Sequence, residues 1–154
     1  MSVVIRRVSN MHSNTRGVDV KARDFADRCA EAMRVAEQGQ AALARIFAEA
    51  AAEGMHRVAE LASPSSREAE LPFRSLAAEL GAATNMSDRT VQRRMNDAVV
   101  LGESFPATFA AWDEGRIAGG HVAVIMEHGL PLSDAAARAE FDVEAVVRAE
   151  GTTP

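Results

Sequence analysis

The sequence predicts an all-α fold, and three observations carry the prediction. Alanine is abundant along the whole chain while tyrosine is absent. β-Branched residues cluster only in short pieces such as SVVI and AVV, and apolar residues recur in alternating steps of three and four. Alanine and straight-chain residues lose little freedom in a helix, and that spacing lines one helical face. With 154 residues, 47% hydrophobic and 25% charged, the chain has the balance of one globular domain rather than of a disordered polymer.

Residues 1–18 mix Ser, Asn, Met, His and Arg without a period and read as a flexible arm. Residues 19–62 hold no proline, offer Asp19 as an N-cap, and read as one long alanine-rich helix or as a hairpin of two joined near Gly39. Along them Ala22, Phe25, Cys29, Ala32, Ala36, Gly39, Leu43, Ile46 and Ala50 form one seam of mostly small residues, which lets a partner backbone approach closely. Unbroken, such a helix is about 60 Å long, more than a compact domain of this size covers. Part of it must project, bend or pack against another chain, so a homo-oligomer through the long helix is one expected partner.

Residues 63–72, with Pro64 and Pro72 near their ends, read as a linker. Residues 73–150 then predict a helical region, with helices at roughly 74–80, 88–101, 107–114, 120–128 and 134–150. Ser133 is the expected cap of the last, and Pro106 and Pro131 stand before two of the starts, where proline is tolerated. Gly115 ends one helix, and residues 151–154 are a tail.

Seventeen basic against twenty-two acidic residues give a net charge of -5. Residues 1–30 carry six basic and three acidic groups, whereas residues 102–154 carry three basic and nine acidic groups. Such a balance excludes strong nonspecific attraction of the whole chain to a polyanion, so any nucleic-acid surface must be local. No window approaches the roughly 18 consecutive apolar residues of a membrane span, and the start has no signal-peptide core, so a cytoplasmic protein with no membrane partner is expected. Cys29, the one cysteine, has no CxxC partner and reads as a small buried apolar residue.

The sharpest local pattern, FRSLAAELGAATNMSDRTVQRRMNDAVVLG, reads as a helix-turn-helix. Its first helix buries Leu76, Ala77 and Leu80. Gly81 supplies a left-handed or close-approach position, the turn runs through residues 82–86, and Ser87 caps the second helix. Val91, Met95 and Ala98 face the core. Arg89, Thr90, Gln92 and Arg93 stay outside with Asn96 and Asp97, and Arg94 either joins them or turns sideways onto Glu79 or Asp97. Arginine can donate two bonds to guanine, glutamine can pair with adenine, and threonine can touch a phosphate or a methyl group, so DNA is a candidate partner. The same face also suits an ordinary solvated surface. Residues 73–101 carry four basic and three acidic groups, too little excess for tight autonomous DNA binding.

Other chemistries find no constellation. His12, His56, His121 and His128 form no HExxH or Cys/His cluster, so neither a metal nor another cofactor is expected; His121 and His128, seven apart, share at most a helical face. Neither GxGxxG nor GxxxxGK[ST] occurs, and no serine has a histidine at a defined short spacing. Glu140, Glu144 and Arg148 suit a salt-bridged exposed face, with Phe141, Ala145 and Val146 toward the core. Trp112, near Phe105 and Phe109, reads as the aromatic anchor whose loss unfolds this half of the chain.

The order of these segments, ELPFRSLAAELGAATNMSDRTVQRRMNDAVVLGESFPATFAAWDEGRIAGGHVAVIMEH, resembles the actinobacterial domain of unknown function 222, also called the 13E12 repeat family. A two-helix element, a basic second helix, a Phe-Pro and alanine-rich helix, then GRI and a histidine-bearing helix carry the resemblance, which extends over about residues 19–147. It implies a domain that commonly precedes an HNH nuclease module, with that module's metal-binding histidines beyond residue 154. It carries over Arg89, Thr90, Arg93 and Arg94 only as exposed residues of the second helix, and it supplies no catalytic position. The end in RAEGTTP departs from the full pattern and is expected to mark a truncated or short form.

The expected function is a noncatalytic helical accessory domain that contacts DNA or self-associates. The alternative is a truncated HNH endonuclease whose metal-dependent DNA cleavage needs the absent module.

Overall fold

A computed structural model describes the backbone of residues 11–152 and the side chains of residues 20–152. Among these residues the chain forms six helices and no strand: α1 (Met11–Ala59), α2 (Ser66–Thr84), α3 (Asp88–Ser104), α4 (Pro106–Asp113), α5 (Gly119–Gly129) and α6 (Ala135–Ala149). The chain divides into two compact units, the first ending at Ala36 and the second beginning at Glu37.

In the first unit, residues 11–36 are helical. Of the expected arm, residues 1–10 lie outside the described residues, whereas residues 11–18 belong to α1 and Asp19 lies inside it. The reason is that nothing in HSNTRGVD stops a helix: it holds no proline, and the single Gly17 costs only about 1 kcal/mol. Every side chain from 20 to 36 is exposed, Cys29 included, which corrects the reading of that cysteine as buried. Arg34 bonds Glu31 one turn back, at 2.6 Å.

In the second unit, α1 runs on through Gly39 without a break, so the hairpin does not form. Its buried face is Ala41, Phe47 and Ala51, flanked by Leu43, Ala44 and Ala50. The expected seam is off by one residue here. Ile46, placed on it from the sequence, is 49% exposed. A step of one residue rotates a helix by about 100°, and packing turns inward the face that carries Phe47, the larger side chain.

Residues 66–72 of the expected linker are helical. Ser65 and Glu68 form a capping box: the Glu68 amide donates to Ser65 Oγ, and the Ser65 amide donates to the Glu68 carboxylate at 2.9 Å. The Ser65 hydroxyl and amide hold the Glu68 carboxyl below its ordinary range. Pro72 sits inside the helix, and its missing N–H costs one backbone bond. Burial of Phe73, Leu76, Ala77 and Leu80 against Phe47, Val91 and Met95 offsets that loss.

α3 joins two cores. Its first half closes the cluster of α1, α2 and α3, while Leu101 joins Phe105, Ala111, Ile117, Val122, Ile125, Val146 and Ala149 in a second cluster built by α4, α5 and α6. The α4 start takes Pro106 at its first turn, where no N–H is needed. Its next amides point at the buried Asp142 of α6, whose carboxylate accepts from Ala107 N at 2.8 Å, Thr108 N at 3.0 Å and Thr108 Oγ1 at 2.5 Å. A carboxylate at a helix N-terminus is favoured both by the orphan amides and by the helix dipole.

α4 is followed by Glu114 at its cap and by Gly115, whose φ of 71° is left-handed. Gly115 N–H reaches Trp112 O and Arg116 N–H reaches Ala111 O, a pair of bonds that closes the helix end and turns Ile117 into the core. Glu37 ties this end to α1: its Oε2 accepts from Trp112 Nε1 and from Gly119 N, both at 2.8 Å. α6 is capped by Asp134, which accepts from Ala136 N, and not by Ser133. The carboxylate of Asp134 stands one residue closer to the first amides.

Candidate nucleic-acid interface

The element that positions Arg89, Thr90, Gln92, Arg93 and Arg94 is α2, a three-residue turn and the first half of α3. α2 continues through Thr84, so the turn is Asn85, Met86 and Ser87. The left-handed residue is Asn85, with φ 55° and ψ 32°, and its N–H donates to Gly81 O. Gly81 serves instead as the close-approach position. Met86 N–H also bonds Gly81 O at 3.1 Å, and a Cβ on Gly81 would lie 2.7 Å from Met86 O. Any side chain there pushes the turn outward, and with it the start of α3.

Ser87 caps α3 by accepting from Thr90 N at 3.3 Å, and its hydroxyl pairs with that of Thr90 at 2.9 Å. Thr90 is therefore half-buried and its hydroxyl already engaged. The rest of the turn is fixed from below by Val91 and Met95, both buried.

At 100° per residue the remaining candidates spread over three directions. Arg89 and Arg93 point outward and are exposed, with Asn96 beside them. Gln92 is half-buried and lines, with Asn96, Arg74 and Glu70, a groove of about 400 Å³ between α3 and α2. Arg94 turns the other way. It is half-buried and lines, with Asp97, a groove of about 490 Å³ floored by Leu43, Phe47, Leu101, Trp112, Val122 and Met126.

The structure thus brings Arg89, Arg93 and Asn96 together and separates Arg94 from them. Among the described residues, none of the ion pairs uses Arg89, Arg93 or Arg94. The guanidinium groups of Arg89 and Arg93 are presented to solvent on a helix whose position is set by backbone contacts. The first turn of α3 also carries Asp88, which lowers the local positive charge.

The other positions singled out from sequence are structural or scattered. Leu76, Leu80 and Phe109 are partly buried against the cores, and Trp112 is half-buried with its indole N–H on Glu37. His121 is buried and accepts from Ala118 N through Nδ1, whereas His128 is exposed. Among the described residues no group of three His, Cys, Asp or Glu side chains is placed to hold a metal ion, and no helix is long and apolar enough to cross a membrane. Glu37 and Asp142, the two carboxylates that tie helices together, were not singled out. The available signal was their register: Asp142 stands four before Val146 and seven before Ala149, on the buried stripe of α6.

By fold, the protein is an all-helical domain in which a short two-helix element displays an outward basic face. Comparison with known families places it further: the family model described as Domain of unknown function (DUF222) matches residues 26–153, and the chain belongs to that family. Neither a curated protein nor a solved structure matches it.

Proposed function

We propose that this domain is a noncatalytic helical accessory domain, associated with HNH nucleases, that contacts DNA by using α2 and α3 as a helix-turn-helix. The supporting observation is the pair of exposed cations, Arg89 and Arg93, on the outward face of a helix start held by the Gly81–Met86 contact and the Ser87 cap. Arg89 and Arg93 meet phosphate oxygens or guanine edges, Asn96 and Gln92 meet base edges from the α2 side, and Thr90 and Arg94 flank the contact. With only a small excess of positive charge, this surface binds modestly and depends on salt. A second copy of the chain is the other partner, favoured by the exposed apolar residues between 20 and 36.

The double variant Arg89→Ala/Arg93→Ala tests the DNA reading. Each phosphate contact removed lowers the slope of log affinity against log salt by about 1, and a lost base contact costs about 1–3 kcal/mol. In fluorescence anisotropy with a labelled duplex between about 50 and about 200 mM salt, the variant is expected to bind at least tenfold more weakly with a flatter salt dependence. Arg94→Ala is expected to change affinity less. Equal binding by wild type and double variant contradicts the assignment. Divalent-ion-dependent cutting by this chain, abolished by a local substitution, contradicts the noncatalytic reading.

A further inference from the structure

We infer that the groove between α2 and α3 takes one unpaired base of a DNA strand. The inference rests on the DNA reading and names the part of the nucleic acid that enters beside Gln92. The groove, of about 400 Å³, is bounded by Glu70, Phe73 and Arg74 of α2 and by Gln92, Met95 and Asn96 of α3. Glu70 and Arg74 stand one turn apart on α2, as do Gln92 and Asn96 on α3, so each helix turns two polar ends to the recess. Phe73 and Met95 supply its apolar surface, Met95 buried and Phe73 partly buried against the core. α1 backs the Phe73 ring, because a Cβ on Gly54 would stand 2.8 Å from its Cδ1 and Cε1. The ring therefore borders the recess in a fixed position.

Shape selects the occupant first. A duplex presents its base edges at the floor of its own groove, so a protein must protrude to reach them. Arg89 and Arg93 protrude, whereas Gln92 is half-buried in a recess. A recess is filled by a base that itself leaves the stack. Its volume lies at the low end of the roughly 300–1,000 Å³ of ligand sites, which suits one flat ring rather than a whole helix. The chemistry agrees. Each carboxamide of Gln92 and Asn96 offers a donor beside an acceptor, as base edges do. Phe73 offers a ring and Met95 a sulfur, both of which favour contact with another ring. Arg74 is exposed on the same wall and supplies a cation for the adjoining phosphate. Among the described residues no hydrogen bond or ion pair holds the side chains of Glu70, Arg74, Gln92 or Asn96, so their bonding capacity is free. The ionised Glu70 only accepts, which favours a base with an exocyclic amine, such as adenine, over thymine.

Fluorescence anisotropy of the full chain at about 50 mM salt tests this with four labelled probes. They are a fully paired duplex, the same duplex with one unpaired adenine, with one unpaired thymine, and with an abasic residue in place of the unpaired adenine. The adenine probe is expected to bind about tenfold more tightly than the paired and the abasic ones, the usual scale of a base stacked on an aromatic side chain. The thymine probe is expected to fall between. Glu70→Gln, at an exposed position, is expected to erase the difference between adenine and thymine. Phe73→Leu is expected to bring the ratio of adenine to abasic affinity close to one. Equal binding of the paired and adenine probes, both weakened by Arg89→Ala/Arg93→Ala, overturns this inference and leaves the DNA reading standing. An abasic probe bound as tightly as the adenine one also overturns it, since the gain then comes from a bent duplex rather than from a base. Absence of binding to all four probes overturns both.

Discussion

Asp142→Ala is expected to lower the stability of the second unit by about 3–4 kcal/mol, as charge-assisted hydrogen bonds contribute about 1.5–3 kcal/mol each and a buried donor left without a partner adds its own penalty. Asp142 is 1% exposed and receives three donors from Ala107 and Thr108. Alanine removes the carboxylate that the Ala107 and Thr108 amides meet, and at 1% exposure water has no ready access to replace it. Asp142→Asn keeps the shape but turns an NH₂ toward a donor, so it is expected to recover only part of the loss. Thermal and urea melts check this. A loss of less than about 1 kcal/mol for Asp142→Ala would mean that the α4 start is capped in some other way.

Phe105→Ala is expected to be at least as damaging, at about 3–5 kcal/mol, the usual cost of removing a fully buried phenylalanine. Phe105 is 0% exposed. Its ring lies against Gly129 so closely that a Cβ there would stand 2.8 Å from Phe105 Cζ, and Phe141 packs on the same spot. The cavity left by alanine is walled by helix backbone on the α5 side, which collapses poorly. Trp112→Phe is expected to cost less, about 1–2 kcal/mol, since Trp112 is only half-buried and the change removes mainly the indole bond to Glu37. Urea melts of the two variants side by side check both losses. A larger loss for Trp112→Phe than for Phe105→Ala reverses the ranking.

The sequence reading places the anchor at Trp112; the structure packs Trp112 half-buried against the same cluster and encloses Phe105 fully, and the reason is general. Residue type and spacing identify an aromatic cluster, but which member is enclosed depends on where the neighbouring helices cross. The all-helical class, the long first helix and the α2–α3 pairing were legible because they rest on local signals: helix formers, the Ser87 cap, and the Val91, Met95 and Ala98 stripe. The α2 start was not legible, because Pro64 and Pro72 suggest a linker while the Ser65–Glu68 capping box between them begins a helix. The seam of α1 slipped by one residue in the second unit because Ile46 and Phe47 are equally apolar neighbours. Only contact with α2 and α3 chooses between them. For the candidate site, the side-chain types were legible from the sequence, and the division of Arg93 from Arg94 was not. Two adjacent arginines look equivalent in a string and stand about 100° apart on a helix.

Whether DNA meets the outward face of α3, as proposed, is decided by amide chemical-shift mapping of the ¹⁵N-labelled chain titrated with a duplex at about 50 mM salt. Shifts are expected to concentrate on Arg89, Gln92, Arg93 and Asn96 and on the Asn85–Ser87 turn, and to fade at about 200 mM salt. Absence of shifts at either salt, or shifts confined to other helices, would contradict it.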